Sequence, residues 1–396
     1  MLSECWLWRD ANGNVTSGGG AKVRVEAESA SSKRRSTSEV AANKDRPLLR
    51  SGHYVPIFVC RALQASSSAW IVLVMLAPPP FSAVFPDENR LLMTASGSLP
   101  PEEVLNLSSL IKLRLPPVTS VQSLSLLFGV STNLIAAMVR NPGRYYRTFE
   151  IRSGARTRRI HTPKVALKIV QRWFGYHLSH AINLSNHVHG FVPKRSTVTA
   201  ARQHCPARWV LSMDIRDFFG SVTSEQIFIC LIGLGYTRLA AHLLTDLCTM
   251  HSSGEHRCLP QGAPSSPVLS NLAFRQTDGK LAQFANQRAL RISRYADDIS
   301  VSAQTDPQPG LSFELGQLIE SDGWVIAQNK TRLVELPRRH PHVLGLLVDQ
   351  SSPRLPKRYR NRLRMMRHML KTDHLNEKER ARFAGHVAYA ESIENI

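Results

Sequence analysis

The sequence predicts an α+β fold, and three observations carry that reading. The apolar run Trp209-Val-Leu-Ser-Met-Asp214 reads as a strand that ends in a carboxylate. Arg291 to Tyr295 and Ile299 to Ala303 read as a hairpin with Ala296-Asp297-Asp298 at its tip. Segments of helical spacing surround both, and the last stretch, 354–396, is basic and helical.

The elements follow in order. Residues 1–92 are punctuated by Gly18-Gly19-Gly20, Ser66-Ser67-Ser68 and Pro78-Pro79-Pro80, and they hold no sustained period. They read as a disordered extension, or as upstream sequence before a start at Met93. Residues 93–139 read as N-terminal helices, with Ser120 to Gly129 and Ser131 to Arg140 as two short ones parted at Gly129. Tyr146 to Ile151 and Arg158 to Ile160 read as two strands around a basic turn, and Pro163 opens a long helix. Helices are expected over about 223–234 and 236–250. The turn Leu259-Pro-Gln-Gly-Ala-Pro-Ser-Ser-Pro267 leads into another helix, and Val343 to Val348 reads as one further strand.

Charge narrows the function classes. The 396 residues hold 50 Lys+Arg against 30 Asp+Glu, a net charge of +20, which fits a polyanionic partner such as nucleic acid. Residues 1–92 supply only +3 of it, so the partner-binding charge lies further on. The six cysteines form no CxxC, and a reducing cytoplasm is the expected compartment. The apolar run from Ala69 to Ala77 is too short for a spanning helix, which needs roughly 20 residues, so no membrane is expected.

The sharpest chemical feature is Arg294-Tyr-Ala-Asp-Asp-Ile-Ser300. Adjacent carboxylates at a hairpin tip repel and raise one another's pKa, and a divalent cation such as Mg²⁺ removes that conflict. Asp214 adds a third carboxylate at a strand end, followed by Phe218-Phe219. Three carboxylates from neighbouring strands would hold two ions ~4 Å apart, an arrangement suited to in-line phosphoryl transfer. Asp217 reads as an acid at a helix N-terminus. Cys248, His251, His256 and Cys258 are metal-ligand types, but their spacing favours a structural loop over a zinc site.

The motifs resemble, in order, those of a reverse transcriptase. They are Asp214 with Phe218-Phe219, Leu259 to Asn271, Tyr295-Ala-Asp-Asp298, Gln328-Asn-Lys-Thr331 and Val343-Leu-Gly-Leu-Leu-Val348. The resemblance covers about 145–350 and is strongest to bacterial retron enzymes. Tyr145 to Ile151, Arg158 to Pro163 and His189-Gly-Phe-Val-Pro-Lys-Arg-Ser196 are similar to the retron fingers, and Phe383 to Tyr389 to the bacterial thumb. Two motifs depart from the retron pattern. Asn-Ala-x-x-His is here Ala200-Ala-Arg-Gln-His204, and Val-Thr-Gly is Val343-Leu-Gly345.

The resemblance implies a right-hand polymerase. Fingers and a palm with an antiparallel sheet flanked by helices would span 140–350, and a basic helical thumb 351–396. The implied activity is RNA-directed DNA synthesis with Mg²⁺ and dNTPs. The implied partners are a structured non-coding RNA as template and primer, its RNA-linked DNA product and a defence effector protein, with a part in antiphage defence. Asp214, Asp297 and Asp298 would be the catalytic metal ligands. Phe219 would lie under the sugar, Gln261 and Gly262 would line the nucleotide pocket, and Arg158 would hold the triphosphate, with Arg152 as a second candidate. Lys330 would protonate the leaving pyrophosphate. Arg354, Arg360, Arg364 and Arg367 would grip the template–primer backbone, while His204 and Leu344 would bear on the choice of RNA. The alternatives are a group II intron-like or diversity-generating reverse transcriptase, and a non-catalytic nucleic-acid-binding protein on the same fold. The three carboxylates argue against the last.

Overall fold

A computed structural model describes residues 7–9, 15–17, 85, 87–153, 156–251, 256–372 and 375–394. The chain divides into two units. In the unit Ser3–Ala77 the described residues are an antiparallel strand pair, Leu7–Arg9 with Val15–Ser17. The expectation for residues 1–92 otherwise falls largely outside the described residues. Met93 lies inside a helix, Glu88–Ser96, which Asp87 caps through Arg90 N–H and which buries Leu91.

The second unit is organised around a four-stranded antiparallel sheet. Its order is Arg332–Glu335, Trp209–Asp214, Asp298–Ala303, Arg291–Tyr295. Period-two alternation sorts the side chains of Trp209–Asp214 to two faces. Trp209, Leu211 and Met213 enter the main core with Ile299, Val301 and the helices Ser266–Ala273 and Arg275–Gln287. Val210 enters a smaller core on the other face with Val198, Val343, Leu346, Leu363 and Ala390. That second core seats the last two helices, Lys357–Met369 and Glu377–Glu394.

Before the sheet stand four short helices, Glu88–Ser96, Pro101–Lys112, Val121–Phe128 and Thr132–Arg140. Ser120 caps the third in a capping box, and Gly129 ends it at φ 63. A hairpin follows, Tyr146–Ser153 against Arg156–Pro163, and then the long helix Val165–Ala181. This α+β arrangement of fingers hairpin, palm sheet and helical thumb agrees with the expected fold class.

Several local expectations change. The second fingers strand reaches from Arg156 to Pro163, so the long helix opens at Val165. Val343 to Val348 is not one strand. His342–Val343 and Leu346–Leu347 pair antiparallel around Leu344 (φ 49) and Gly345 (φ 85), a two-residue turn with both central residues left-handed. Asp217 sits in a turn at φ 45, not at a helix N-terminus. Cys248 and Cys258 are buried thiols, the first lying two residues before the short strand pair Met250–His251 with Arg257–Cys258 and the second within it, and burial pushes Cys248 up to about 12. Among the described residues no helix is long and apolar enough to cross a membrane.

Candidate active site

The sheet brings the three carboxylates to one end. Antiparallel register sets Asp214 opposite Asp298 and Tyr295 opposite Asp298 on the other side. A two-residue loop, Ala296-Asp297, joins the last two strands, and Ile215 N–H donates to Asp297 O at 3.0 Å. The tip of the first strand and the tip of the hairpin are therefore bonded to each other.

This turn is strained. Ala296 has φ 57, a left-handed conformation that costs a residue with a Cβ about 1–2 kcal/mol. It persists because its neighbours leave no alternative. Gly190 packs against its back, where a Cβ would stand 2.3 Å from Ala296 N. Only glycine fits there. His189 N–H donates to Arg294 O at 2.8 Å, so the segment 187–190 lies beside the outer strand.

The electrostatics are unsettled at the same point. Burial, then the Asp214 charge, raises the Asp297 pKa, and Lys330 and Arg158 oppose the rise. Burial, then Asp297 and Asp214, pushes Asp298 up to about 7. Lys330 Nζ lies 2.5 Å from Asp214 Oδ1, an ion pair on one member of the cluster. Among the described residues no three His, Cys, Asp or Glu side chains already converge as a metal cage. The donor set nevertheless suits a hard cation: three carboxylates on one sheet end, two of them with raised pKa values, and an ammonium on the third.

The aromatics after Asp214 divide their work. Phe218 is buried among Phe274 and Trp324, with centroids 5.9 and 5.8 Å away. Phe219 is partly exposed and lies 6.2 Å from the ring of Phe191, which is 6.2 Å from Tyr295. Phe191, held at φ 61, thus links Phe219 to the carboxylate turn. In the sequence it stands out only as part of the fingers motif His189 to Ser196. An aromatic in a Gly-Phe-Val-Pro turn was the available signal.

The expected nucleotide pocket has a built wall. His161 N–H donates to Gln261 O at 2.8 Å, tying the fingers strand to the loop before Ser266. Gly262 has φ 116, and a Cβ there would stand 2.9 Å from Ile160 Cγ2. Arg158 is exposed on that fingers strand, across from Ile151, and its charge reaches Asp297. Arg152 is exposed on the facing strand, opposite Thr157.

The basic thumb residues separate. Arg360, Arg364 and Arg367 are exposed and recur at helical spacing, while Leu363 and Met366 are buried. Met365, by contrast with its neighbour, is exposed. Arg354 precedes the helix, and its guanidinium donates to both oxygens of Asp349 at 2.8 and 3.0 Å. It is committed within the chain.

His204, expected to bear on the choice of RNA, lies in the core. It is fully buried, with Nδ1 2.7 Å from Ser302 Oγ and Nε2 2.8 Å from Ser293 Oγ. Burial pushes its pKa down to about 3, so it is neutral and pins the palm's second face. A direct RNA contact is excluded by that burial. Leu344 is partly exposed at its turn.

Residues 152–383 match the family model described as reverse transcriptase (RNA-dependent DNA polymerase). The retron Ec86 reverse transcriptase of Escherichia coli is 32% identical over 63% of this chain and 77% of its own length. The retron Mx65 reverse transcriptase of Myxococcus xanthus is 31% identical over 79% of this chain and 75% of its own. A solved telomerase from Candida tropicalis, in complex with a fragment of telomeric RNA, shares 10% identity over 70% of this chain and 60% of that one, with a TM-score of 0.39. The family match and the two retron relatives make this chain an RNA-directed DNA polymerase, a member of the reverse transcriptase family of the bacterial retron type.

Proposed function

We propose that this polymerase copies its own structured non-coding RNA into RNA-linked single-stranded DNA, with two Mg²⁺ ions and dNTPs, in the cytoplasm and in the service of antiphage defence. The observation that carries the catalytic part is the register of Asp214 opposite Asp298, with Asp297 next to Asp298 in the turn from Tyr295. Kinship to two retron reverse transcriptases supports the retron type, and the RNA-linked product and the defence role are what the retron resemblance implies.

Asp214, Asp297 and Asp298 hold the ions in this reading. When bound, the ions supply charge neutralisation at the attacking hydroxyl and the leaving pyrophosphate. The chain's own residues do the rest. Arg158 draws in the triphosphate through charge-assisted hydrogen bonds. Gln261 and Gly262 form the floor against which the base pair is built, where the absence of a Cβ at Gly262 lets the fingers strand close up. Phe219, backed by Phe191, meets the sugar and excludes a 2′-hydroxyl. Lys330 gives a proton to the departing pyrophosphate from its place beside Asp214. Arg360, Arg364 and Arg367 hold template and primer phosphates in register. Arg354 acts one step removed, by holding Asp349 at the start of the thumb.

Sequencing the nucleic acid that copurifies with the chain tests this reading. One dominant structured RNA joined through a 2′-hydroxyl to DNA is the expected product. A mixture of unlinked cellular RNAs would favour the group II intron-like or diversity-generating alternative.

A further inference from the structure

Directly behind the carboxylate turn lies a polar network buried from the surface. Arg294 is fully buried, as are Asp278 and Asn271. Its Nε donates to Asp278 Oδ1 at 2.8 Å and its Nη2 to Asp278 Oδ2 at 2.6 Å, a bidentate pair. Its Nη1 donates both to Asn271 Oδ1 and to Ala296 O, each at 3.0 Å. The guanidinium carbon stands 4.6 Å from the centroid of the Phe274 ring. Asn271 Nδ2 in turn donates to Gly190 O at 2.8 Å. His187 Nε2 lies 3.3 Å from Asp278 Oδ1, and Arg294 N–H donates to His187 O at 2.8 Å.

Burying such a pair is a poor route to stability. An apolar pair of similar volume in the same place is often as stable or more so. What the pair supplies here is direction. One arm of the guanidinium ends on the carbonyl of Ala296, the left-handed residue immediately before Asp297. Asp278 fixes the plane of that guanidinium from a helix, and Asn271 ties the same group to Gly190 under the turn.

We propose that Arg294 is a positioning residue for polymerisation: gripped by Asp278 and Asn271, it holds Ala296 O and thereby sets where Asp297 and Asp298 present their carboxylates. This rests on the reading of those carboxylates as the metal-holding groups. Lysine cannot replace arginine here, because one ammonium cannot serve Asp278 bidentately and reach Asn271 and Ala296 together.

Two variants test it, with wild type and Asp297→Asn assayed alongside. Arg294→Lys keeps the buried charge opposite Asp278. The double variant Arg294→Met/Asp278→Leu removes both charges, so no unpaired ion is left in the core. Both are expected to keep the wild-type circular dichroism spectrum. Turnover in primer extension is expected to fall about 100-fold, the size of effect that a small misplacement of reacting groups produces. Half-maximal Mg²⁺ rises, while the KM for primer–template is unchanged because the thumb is untouched. A merely structural role would leave the Mg²⁺ dependence of the folded fraction as in wild type. A folded variant with wild-type turnover and wild-type Mg²⁺ dependence overturns the proposal. If neither variant folds, Arg294 is scaffold and the proposal also falls. An Asp297→Asn protein as active as wild type would instead overturn the carboxylate reading beneath it.

Discussion

Two charge clusters lie within a few residues of each other and are built on opposite terms. Around Arg294 every charge is matched: a bidentate carboxylate, an amide and a carbonyl meet the guanidinium in the core. Around Asp297 three carboxylates crowd together with only partial relief from Lys330 and Arg158, and burial raises the pKa values of Asp297 and Asp298. Arg294 and Asp278 hold a pKa-lowered carboxylate, because the guanidinium favours the ionised form despite burial. Among the described residues no guanidinium or ammonium is paired with Asp298 in that way, and the more distant Lys330 only partly offsets its rise. The satisfied cluster is a support, and the frustrated one is a site that waits for a ligand.

The largest expected effect separates the two clusters by sign. Asp278→Asn leaves Arg294 buried without its counter-ion and is expected to cost about 3–5 kcal/mol of folding stability. Asp298→Asn relieves repulsion and is expected to raise the melting temperature of the metal-free protein at neutral pH. Urea unfolding of both variants checks this. Destabilisation by Asp298→Asn equal to that of Asp278→Asn would erase the distinction.

The pH dependence sharpens it. An unfolded aspartate ionises near pH 4, roughly, whereas Asp298 in the folded chain holds its proton to about 7. Between those values the folded state binds a proton that the unfolded state has lost, so this group's contribution makes stability fall as pH rises from about 4 to about 7. Above that window the contribution is flat. The difference between wild-type and Asp298→Asn melting curves isolates it, and a difference independent of pH would remove the basis for the frustrated cluster.

The thumb offers a related contrast at the surface. Arg354 is held on both oxygens of Asp349, whereas on the exposed arginine face Arg367 alone has a pair among the described residues, a looser one with Glu394 at 3.6 Å. Replacing Arg360, Arg364 and Arg367 by Ala is expected to weaken binding to every RNA and to reduce the slope of log K against log salt by about 2–3. Arg354→Ala is expected to lower the melting temperature and leave that slope alone, since its guanidinium already serves Asp349. Filter binding over a salt series distinguishes the two, and an equal change in slope from Arg354→Ala would return it to the binding face.

The smallest effect concerns His204. Its two serine partners lie on the palm strands, so His204→Ala is expected to lower stability and to slow extension equally on cognate and unrelated templates. A loss confined to the cognate RNA would restore a role in choosing it.

These contrasts also show what was legible in the sequence. Asp214, Asp297 and Asp298 could be read because alternating apolar runs end on them, and the antiparallel register then has little choice but to gather them. The buried side of His204 could not be read from a motif that is polar and surrounded by short residues. The support behind the turn leaves a fainter signal in the sequence. Phe274, Asp278, Leu281 and Ala285 share one buried helix face, and an acid on such a stripe demands a buried cation. The left-handed pair Leu344-Gly345 turns an apolar run into a hairpin because backbone sign, unlike hydropathy, leaves little trace when only one of the two residues is glycine.

The most direct test of the carboxylate turn as the polymerase centre is primer extension on an annealed RNA template with dNTPs, run on wild type, Asp297→Asn and Asp298→Asn at one Mg²⁺ concentration. The expected result is extension by the wild type, with a loss of about 100- to 1,000-fold or more in each folded variant. Full-length extension by either variant at the wild-type rate would contradict the assignment.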